Sequence, residues 1–493
     1  MKYRRYINEG LAFGLGCLAA LGQAPWSIWL ITLCAFFLSF LLAQKCVNFK
    51  SASSVGFFTG FGHFTVSLFW ITEPFLLEGS SQVWVAPFAL LAMSSGLSLF
   101  WLLAYGLSVS LRYRGDSVLP LIVLLTTAEL IRTKVFSGFP WSLIGYVWSD
   151  HPISQLSAVV GPHGLTMITL LIAGLPLVLK PYKVIRIILP SFLLLGSWSY
   201  GYLILQIPDA PPTGKIVRLI QPNAPQNLKW DTEMVPVFWQ RQLNFTKKPS
   251  TEPLDLIVWP ETSVPFLLRE SKESLKNISI AASGVPVIIG ANDRVEGGIR
   301  NALALVGPEG RLLTTYHKKH LVPFGEYIPF GEMLSTWGVR GLATRDGAGY
   351  VAGTGERLLE IPKIGRVIPL ICYELIFPRN VRSKNRARLI LQITNDAWFG
   401  NFSGPFQHLA QAKLRAIEQG LPLIRVANTG ISAVLNSRGE VVVKTSLNEA
   451  TYIDANIPSP RSKTIYAKFA DWPMIIFLSF SIFTLSVLRK RVY

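Results

Sequence analysis

Hydrophobic residues in this chain follow two different patterns. Through the first 205 residues, and again near the C-terminus, they form long runs with few polar interruptions, each near the roughly 20 residues that a bilayer-crossing helix needs. The runs lie at 9–23, 27–44, 54–76, 84–110, 118–135, 155–179, 184–205 and 472–488. They predict eight transmembrane helices, seven before a differently patterned segment and one after it. The first run is short and Gly-rich, and behind Met1-Lys2-Tyr3-Arg4-Arg5 it also fits the apolar region of a signal peptide. An uncleaved helix is preferred because it makes the flanking charges alternate.

Between residues 212 and 466 the apolar stretches shorten to strand length and are separated by Gly/Pro turns. Strands are predicted at Lys215–Gln221, Leu254–Trp259 and Val287–Gly290. A hairpin is predicted from Asn301–Val306 through Pro308-Glu309-Gly310 to Arg311–Lys318. Further strands are predicted at Arg366–Ile371, Leu389–Thr394, Leu423–Ala427 and Ser432–Thr445, and a helix at His408–Gln419. Strands alternating with helices argue an α/β domain, and about 250 residues is ample for one. The expected organisation is a membrane domain over 1–211, an α/β domain over 212–466, and a last transmembrane helix with a basic tail over 467–493.

Composition agrees with a membrane protein. Half of the 493 residues are hydrophobic and only 15% are charged, with a mean hydropathy of +0.38, against nearly a quarter charged in soluble domains. The net charge of +18 comes from 47 Lys and Arg against 29 acidic residues. Nothing reads as a nucleic-acid module, so the surplus is assigned to cytoplasmic-loop bias and anionic lipid. Lys2, Arg4 and Arg5 precede the first run, and Lys45 and Lys50 follow the second. Arg112 and Arg114 follow the fourth; Lys180, Lys183 and Arg186 separate the sixth from the seventh; Arg489, Lys490 and Arg491 follow the eighth. This alternation predicts cytoplasmic termini and an extracytoplasmic α/β domain, with Arg132 and Lys134 as exceptions on the outer side.

Candidate chemistry is confined to that domain. Of four cysteines, only Cys372 lies outside the apolar N-terminal region. It closes the strand run Val367–Ile371, where a tight turn would present a strained, exposed nucleophile. Val258-Trp259-Pro260-Glu261-Thr262 sets a carboxylate at another strand end, and Tyr316-His317-Lys318 sets an ammonium at the end of the hairpin. Glu261, Lys318 and Cys372 are more than 50 residues apart in sequence, so only folding can unite them. A thiol with pKa near 8.5 needs a base, which Glu261 can supply from a half-apolar pocket beside Trp259. A protonated Lys318 would stabilise thiolate and oxyanion, with the Tyr373 backbone N–H as a second donor.

The order Glu–Lys–Cys, with Val-Trp-Pro-Glu-Thr, Tyr-x-Lys-x-His-Leu, Cys-Tyr-Glu and Thr394-Asn395-Asp396-Ala397-Trp398-Phe399, resembles the carbon–nitrogen hydrolase (nitrilase) superfamily. That resemblance implies an αββα sandwich. Seven apolar runs before the domain and one after it, the phrase from His320 to Pro329, and Phe139-Pro140-Trp141 together resemble the bacterial apolipoprotein N-acyltransferases over essentially the whole chain. This family implies an inner-membrane enzyme without cofactor or metal. It would pass a fatty acyl chain from a phospholipid, through a cysteine thioester, to the α-amino group of an apolipoprotein's S-diacylglyceryl-cysteine, the last step of lipoprotein maturation. By the same resemblance Glu326 and Glu374 are functional acids that orient Lys318 and shape the site loop, and Trp230 lies near the site. Tyr373 either holds the acyl chain or fills the pocket wall.

Other readings remain open at this level. A membrane-tethered amidase of a small molecule fits the triad but leaves the apolar runs unexplained. A transporter or inert scaffold is disfavoured by the lack of charges at the centres of the runs and by the intact triad. His320 and His408 read as structural, since no zinc-like spacing surrounds them. The basic residues Arg379, Arg382, Lys384, Arg386 and Arg388 read as a solvated face, and Glu129 and Arg132 as an anchoring i,i+3 ion pair. Gly341–Gly355, with five glycines, is a candidate arm for large lipid substrates.

Overall fold

The computed structural model describes residues 2–77, 83–112, 117–329, 349–383 and 385–490. Gly341 and Gly347 of the candidate arm, Arg114 and Lys384 lie outside the described residues. The chain divides into two compact units. One comprises 1–208, 402–418 and 463–493, and the other 209–401 and 419–462.

The first unit is helical. Helices α1 (Lys2–Ala20), α2 (Trp29–Gln44), α3 (Phe49–Ser67), α4 (Val85–Ser110), α5 (Leu119–Arg132), α6 (Ser157–Val178) and α7 (Ile185–Gln206) occupy the first seven apolar runs. A helix at Trp472–Lys490 occupies the eighth. Among the described residues, four helices are long and apolar enough to cross a membrane. A fifth qualifies if α3 and the helical turns at 69–76, bent by 63°, count as one span. Of the others, α1 is 19 residues long but begins with a charged segment, whereas α2 and α5 have only 16 and 14 residues. The apolar side chains along α7, including Ile188, Phe192 and Leu203, are exposed, as are Phe480 and Phe483 of the last helix. A protein of this kind satisfies such surfaces with lipid.

Within the bundle, α3 packs closely between α1 and α4. A Cβ at Gly62 would collide with the Phe13 backbone carbonyl, so this crossing depends on a residue without a side chain. Ser39 on α2 bonds Tyr105 on α4 at 2.8 Å and Thr59 on α3 at 3.2 Å. Arg112 donates to the carbonyls of Ala43 and Cys46 at 2.7 Å each, capping the C-terminal end of α2 with a cation. The anticipated pair is present. Arg132 grips Glu129 with Nε at 3.0 Å and Nη2 at 2.8 Å, and both side chains are fully buried. Its remaining nitrogen donates to the carbonyls of Phe139 and Trp141. Trp101 bonds Glu129 from α4 at 2.9 Å. Trp141 in turn donates to Gln407 at 2.6 Å, and its ring packs on His408. Lys134, the other outer-side exception, pairs with Asp471 at 2.6 Å. Both exceptional cations therefore have acidic partners.

The second unit is built on two six-stranded sheets. The first has the order β12-β1-β2-β3-β4-β5, with β1 (Ile216–Gln221), β2 (Leu256–Val258), β3 (Val287–Val295), β4 (Gly298–Val306), β5 (Leu312–His317) and β12 (Thr451–Asn456). The second has the order β11-β10-β9-β8-β7-β6, with β6 (Leu359–Ile361), β7 (Gly365–Ile371), β8 (Leu389–Thr394), β9 (Leu423–Ala427), β10 (Ala433–Leu435) and β11 (Val441–Lys444). Each centres on three parallel strands, β1-β2-β3 and β7-β8-β9, with antiparallel strands outside them. The sheets meet face to face, β1 against β9 and β4 against β7. Strands β1, β8 and β9 are buried along their whole length; their apolar residues are interrupted only by buried, hydrogen-bonded polar groups such as Arg218, Gln392 and Arg425. Helices Met234–Lys247 and Lys272–Ala281 cover the first sheet, burying Leu243, Leu275 and Ile278 against Ile257, Ile289 and Ala304. The single strand anticipated over Ser432–Thr445 is instead the hairpin β10–β11, because Asn436 turns the chain by accepting from the N–H groups of Arg438 and Glu440.

Candidate active site

Glu261, Lys318 and Cys372 each sit just past the end of a strand: β2, β5 and β7 respectively. Glu261 is placed by Trp259, which is fully buried, packs edge-on against Trp239 and bonds Thr246 at 3.0 Å. The loop after Trp259 runs so close to β3 that a Cβ at Gly290 would overlap the Glu261 Cα and the Pro260 carbonyl. Only glycine fits there. Lys318 is fixed by backbone bonds on both sides, its N–H to Asn301 and its carbonyl to Gly353.

The three groups share one buried pocket. The Lys318 ammonium lies 2.8 Å from Glu326 and 3.7 Å from Glu261, and all three side chains are almost fully buried. The Glu261 carboxylate is held at both oxygens. Oε1 accepts from the Asn301 amide at 2.8 Å, and Oε2 from the Asn395 backbone N–H at 2.8 Å. Burial pushes the Glu261 pKa above the ordinary carboxylate range; Lys318, the Asn301 bond and Lys229 pull it back, and Glu326 adds to the rise. Burial also opposes charge on Lys318, yet Glu326 and Glu261 together outweigh it and hold the ammonium well above its ordinary pKa. Lys318 is a permanent cation here, not a base.

Cys372 adopts a left-handed backbone (φ 50°), the strained turn anticipated for a nucleophile. Its sulfur is not exposed, however; the residue is only 5% accessible. Burial pushes the thiol pKa well above its ordinary value and Glu261 pushes it further, while Lys318 and a hydrogen bond to Thr394 act in the opposite direction. The resting Cys372 side chain is therefore a neutral thiol. Beneath it runs a buried polar chain. Gln392 donates to the Cys372 carbonyl at 3.1 Å, Arg425 bonds Gln392 at 2.6 Å and pairs with Asp396, and Thr394 donates to Asp396 at 2.9 Å. The Thr394-Asn395-Asp396 motif thus serves both sides of the site, holding Glu261 through Asn395 and underpinning the Cys372 turn through Asp396.

Glu374 is a loop clamp. It accepts from the Tyr316 hydroxyl, the backbone N–H groups of Lys319, His320 and Ile371, and the Arg357 guanidinium. It ties the Lys318 segment to the Cys372 turn. Tyr373 stands in an aromatic cluster with His320 and Phe377, and the His320 and Phe377 rings stack at 3.8 Å. Trp230 is half-buried, with the Lys229 ammonium 5.3 Å from its ring. Of the basic run, Arg379, Arg382 and Arg388 are exposed, and Arg386 donates to the carbonyls of Gln419 and Gly420.

Sequence reasoning missed Lys229. It is 7% exposed, and its ammonium donates to the Glu261 carbonyl at 3.3 Å. Burial pushes its pKa down to about 8, against the pull of Glu261. Asn301, Gln392 and Arg425 were missed too. A charged or amide residue inside an otherwise apolar strand was the available signal, since such a group persists in a core only when it is paired.

Two sheets with an acid, a lysine and a cysteine at their strand ends define a nitrilase-type catalytic domain, and residues 216–466 match the carbon-nitrogen hydrolase family. Residues 15–175 match the apolipoprotein N-acyltransferase N-terminal domain. A Rhodopseudomonas palustris protein named apolipoprotein N-acyltransferase is 32% identical over 513 residues, covering 98% of this chain and 95% of its own. One of that name from Rickettsia typhi is 34% identical over 96% of each chain. Another, from Allorhizobium ampelinum, is 36% identical over 81% of this chain and 78% of its own. The chain belongs to the apolipoprotein N-acyltransferase family, and it is a membrane protein.

Proposed function

We propose that this enzyme transfers a fatty acyl chain from a phospholipid to the α-amino group of the S-diacylglyceryl-cysteine of an apolipoprotein. Glu261, Lys318 and Cys372 are its catalytic residues. Cys372 Sγ attacks the ester carbonyl while its proton passes to Glu261, and the negative charge forming on the carbonyl oxygen is met by Lys318 and the Tyr373 N–H. Collapse breaks the ester C–O bond. Lysophospholipid leaves as the alcohol with the proton from Glu261, and the acyl thioester remains. The acceptor amine then attacks the thioester, gives a proton to Glu261, and expels the sulfur, which regains that proton as the amide forms. The kinetics are ping-pong.

The observation that carries this reading is a buried neutral thiol beside a buried, elevated carboxylate, in a chain that is related to acyltransferases along nearly its whole length. A base with a raised pKa takes a proton from a neutral thiol more readily than an ordinary carboxylate does, and it returns the proton to the leaving alkoxide. Glu326 orients Lys318, Glu374 fixes the loop, and Trp230 and Tyr373 line the approach for substrate. The eight helices all span the inner membrane, with both termini cytoplasmic and the catalytic domain outside, as the charge alternation supports.

The test is to incubate the purified protein with phospholipid labelled in its acyl chain. A hydroxylamine-sensitive adduct should form, be absent in Cys372→Ala, and be discharged quickly by a diacylglyceryl-cysteine peptide. An adduct that persists in Cys372→Ala would sink the mechanism. Discharge by water at the same rate with or without the peptide would make the enzyme a hydrolase.

A further inference from the structure

A groove of about 540 Å³ opens where α6 and α7 turn into one another beside α2. Its walls are apolar, with Phe37, Leu177 and Leu194 among them, but Lys180 and Arg186 stand at it, and the described residues that line it include no carboxylate. Pro176 on α6 and Pro190 on α7 also line it. The same small space therefore combines apolar walls with two cations.

We propose that this groove is a binding site for one anionic phospholipid, distinct from the lipid that reacts. The phosphate diester sits on Lys180 and Arg186, and an acyl chain follows the apolar wall. Phosphatidylglycerol, with its net negative charge, meets both requirements. In a choline lipid the headgroup's own cation competes with the two side chains. A free phosphate leaves the apolar wall uncovered. On the topology proposed above, this turn faces the cytoplasm, where basic pockets between helices take anionic headgroups. The inference rests on the membrane placement of α6 and α7, not on the acyl-transfer chemistry.

Basic residues at such a turn also serve simply as topological signals. Lys183 separates the two roles, because it lies in the same turn, is exposed, and does not line the groove. The experiment uses the full-length Cys372→Ala protein, which cannot be acylated, stripped of lipid in neutral detergent. Thermal unfolding is followed against phosphatidylglycerol, phosphatidylcholine or inorganic phosphate. Phosphatidylglycerol should raise Tm saturably, the other two should not, and Lys180→Gln/Arg186→Gln should weaken the apparent affinity by about tenfold or more. Lys183→Gln should leave it unchanged. An equal loss in Lys183→Gln would mean diffuse surface charge, a full response to phosphate a free-anion site, and an equal response to phosphatidylcholine no headgroup selectivity; each overturns the proposal. Should the double variant fail to fold, a diazirine-bearing phosphatidylglycerol on Cys372→Ala decides the matter. Its crosslinks should map to 172–194, and their absence there would refute the site.

Discussion

Lys318 is bonded more tightly to Glu326 than to Glu261, at 2.8 Å against 3.7 Å. Glu326 is itself locked, since its second oxygen accepts from the Val322 N–H at 2.8 Å. The arrangement keeps the ammonium from closing further onto Glu261, the proposed base. A pair tighter than the 3.7 Å one present would pull the Glu261 pKa further down and spoil it as a proton acceptor.

Replacing Glu326 by Gln should therefore slow thioester formation even though Glu326 accepts no proton in the reaction. The freed ammonium would move onto Glu261, and the loss should resemble that of a misplaced oxyanion donor, roughly 10²–10³-fold. Single-turnover measurement of the acyl adduct is the check. A rate within a few-fold of wild type would mean that Glu326 only caps its loop.

The pH dependence is set by Glu261 and Lys229. Because Glu261 must be ionised to act as base and its pKa is raised, the acid limb of kcat/KM for the acylation step should lie above 4.5, the ordinary glutamate value. Lys229→Met removes a charge that pulls Glu261 down, so the limb should move to higher pH while the plateau changes little. An unmoved limb would show that Lys229 does not act on the base. Stability has its own signature. Unfolded lysine keeps its proton to about 10.5, whereas buried Lys229 gives it up at about 8, so the unfolded state binds more protons between these values. Wild-type stability should gain from this group as pH rises across that window, and Lys229→Met should lose that gain.

Much of the α/β unit was legible because parallel strands buried on both faces leave predominantly apolar runs. Leu389–Thr394 and Leu423–Ala427 coincide with the observed strands for that reason. Strands β6 and β12 were not anticipated: Leu359–Ile361 is only three residues long, and Thr451–Asn456 is half-buried and mixed in composition. The candidate catalytic residues were legible as charges at strand ends. Their supports were not, because Asn301, Gln392 and Arg425 act from one strand to another on residues remote in sequence. The thiol was expected to be open to solvent, a property of packing that a local turn motif does not determine. The Arg132 and Lys134 exceptions are accounted for by Glu129 and Asp471, and only the first of these partners lies close enough in sequence to be seen.

Removing charges from the triad should affect stability unequally. Glu261 carries a buried, destabilised negative charge: its folded pKa exceeds its unfolded one, so it costs stability as pH rises through that window. Glu261→Gln should abolish acylation with Tm unchanged or raised, since Lys318 keeps Glu326. Lys318→Met leaves two buried carboxylates facing each other and should cost ~3–5 kcal/mol at neutral pH, the range for breaking a buried pair. Thermal unfolding at pH 7 and pH 5 distinguishes the two, because protonation at pH 5 should relieve much of the Lys318→Met loss. Equal destabilisation by both variants would contradict the charge balance described here.

The Glu129–Arg132 pair should behave as an anchor rather than a transport element. Arg132 satisfies a buried carboxylate and two loop carbonyls at once, so Arg132→Met strands all three acceptors. Trp101 still bonds Glu129, but one neutral donor does not compensate a buried charge. The expected loss is again ~3–5 kcal/mol. Glu129→Gln leaves an uncompensated guanidinium that keeps its bonds to Phe139 and Trp141, so it should cost less. The double variant Glu129→Gln/Arg132→Met removes both charges and should be more stable than Arg132→Met alone, leaving only the loop carbonyls unsatisfied. A double-mutant cycle on Tm in detergent measures this coupling. If the double variant loses the full sum of the two single losses, the residues act independently and the anchor reading fails.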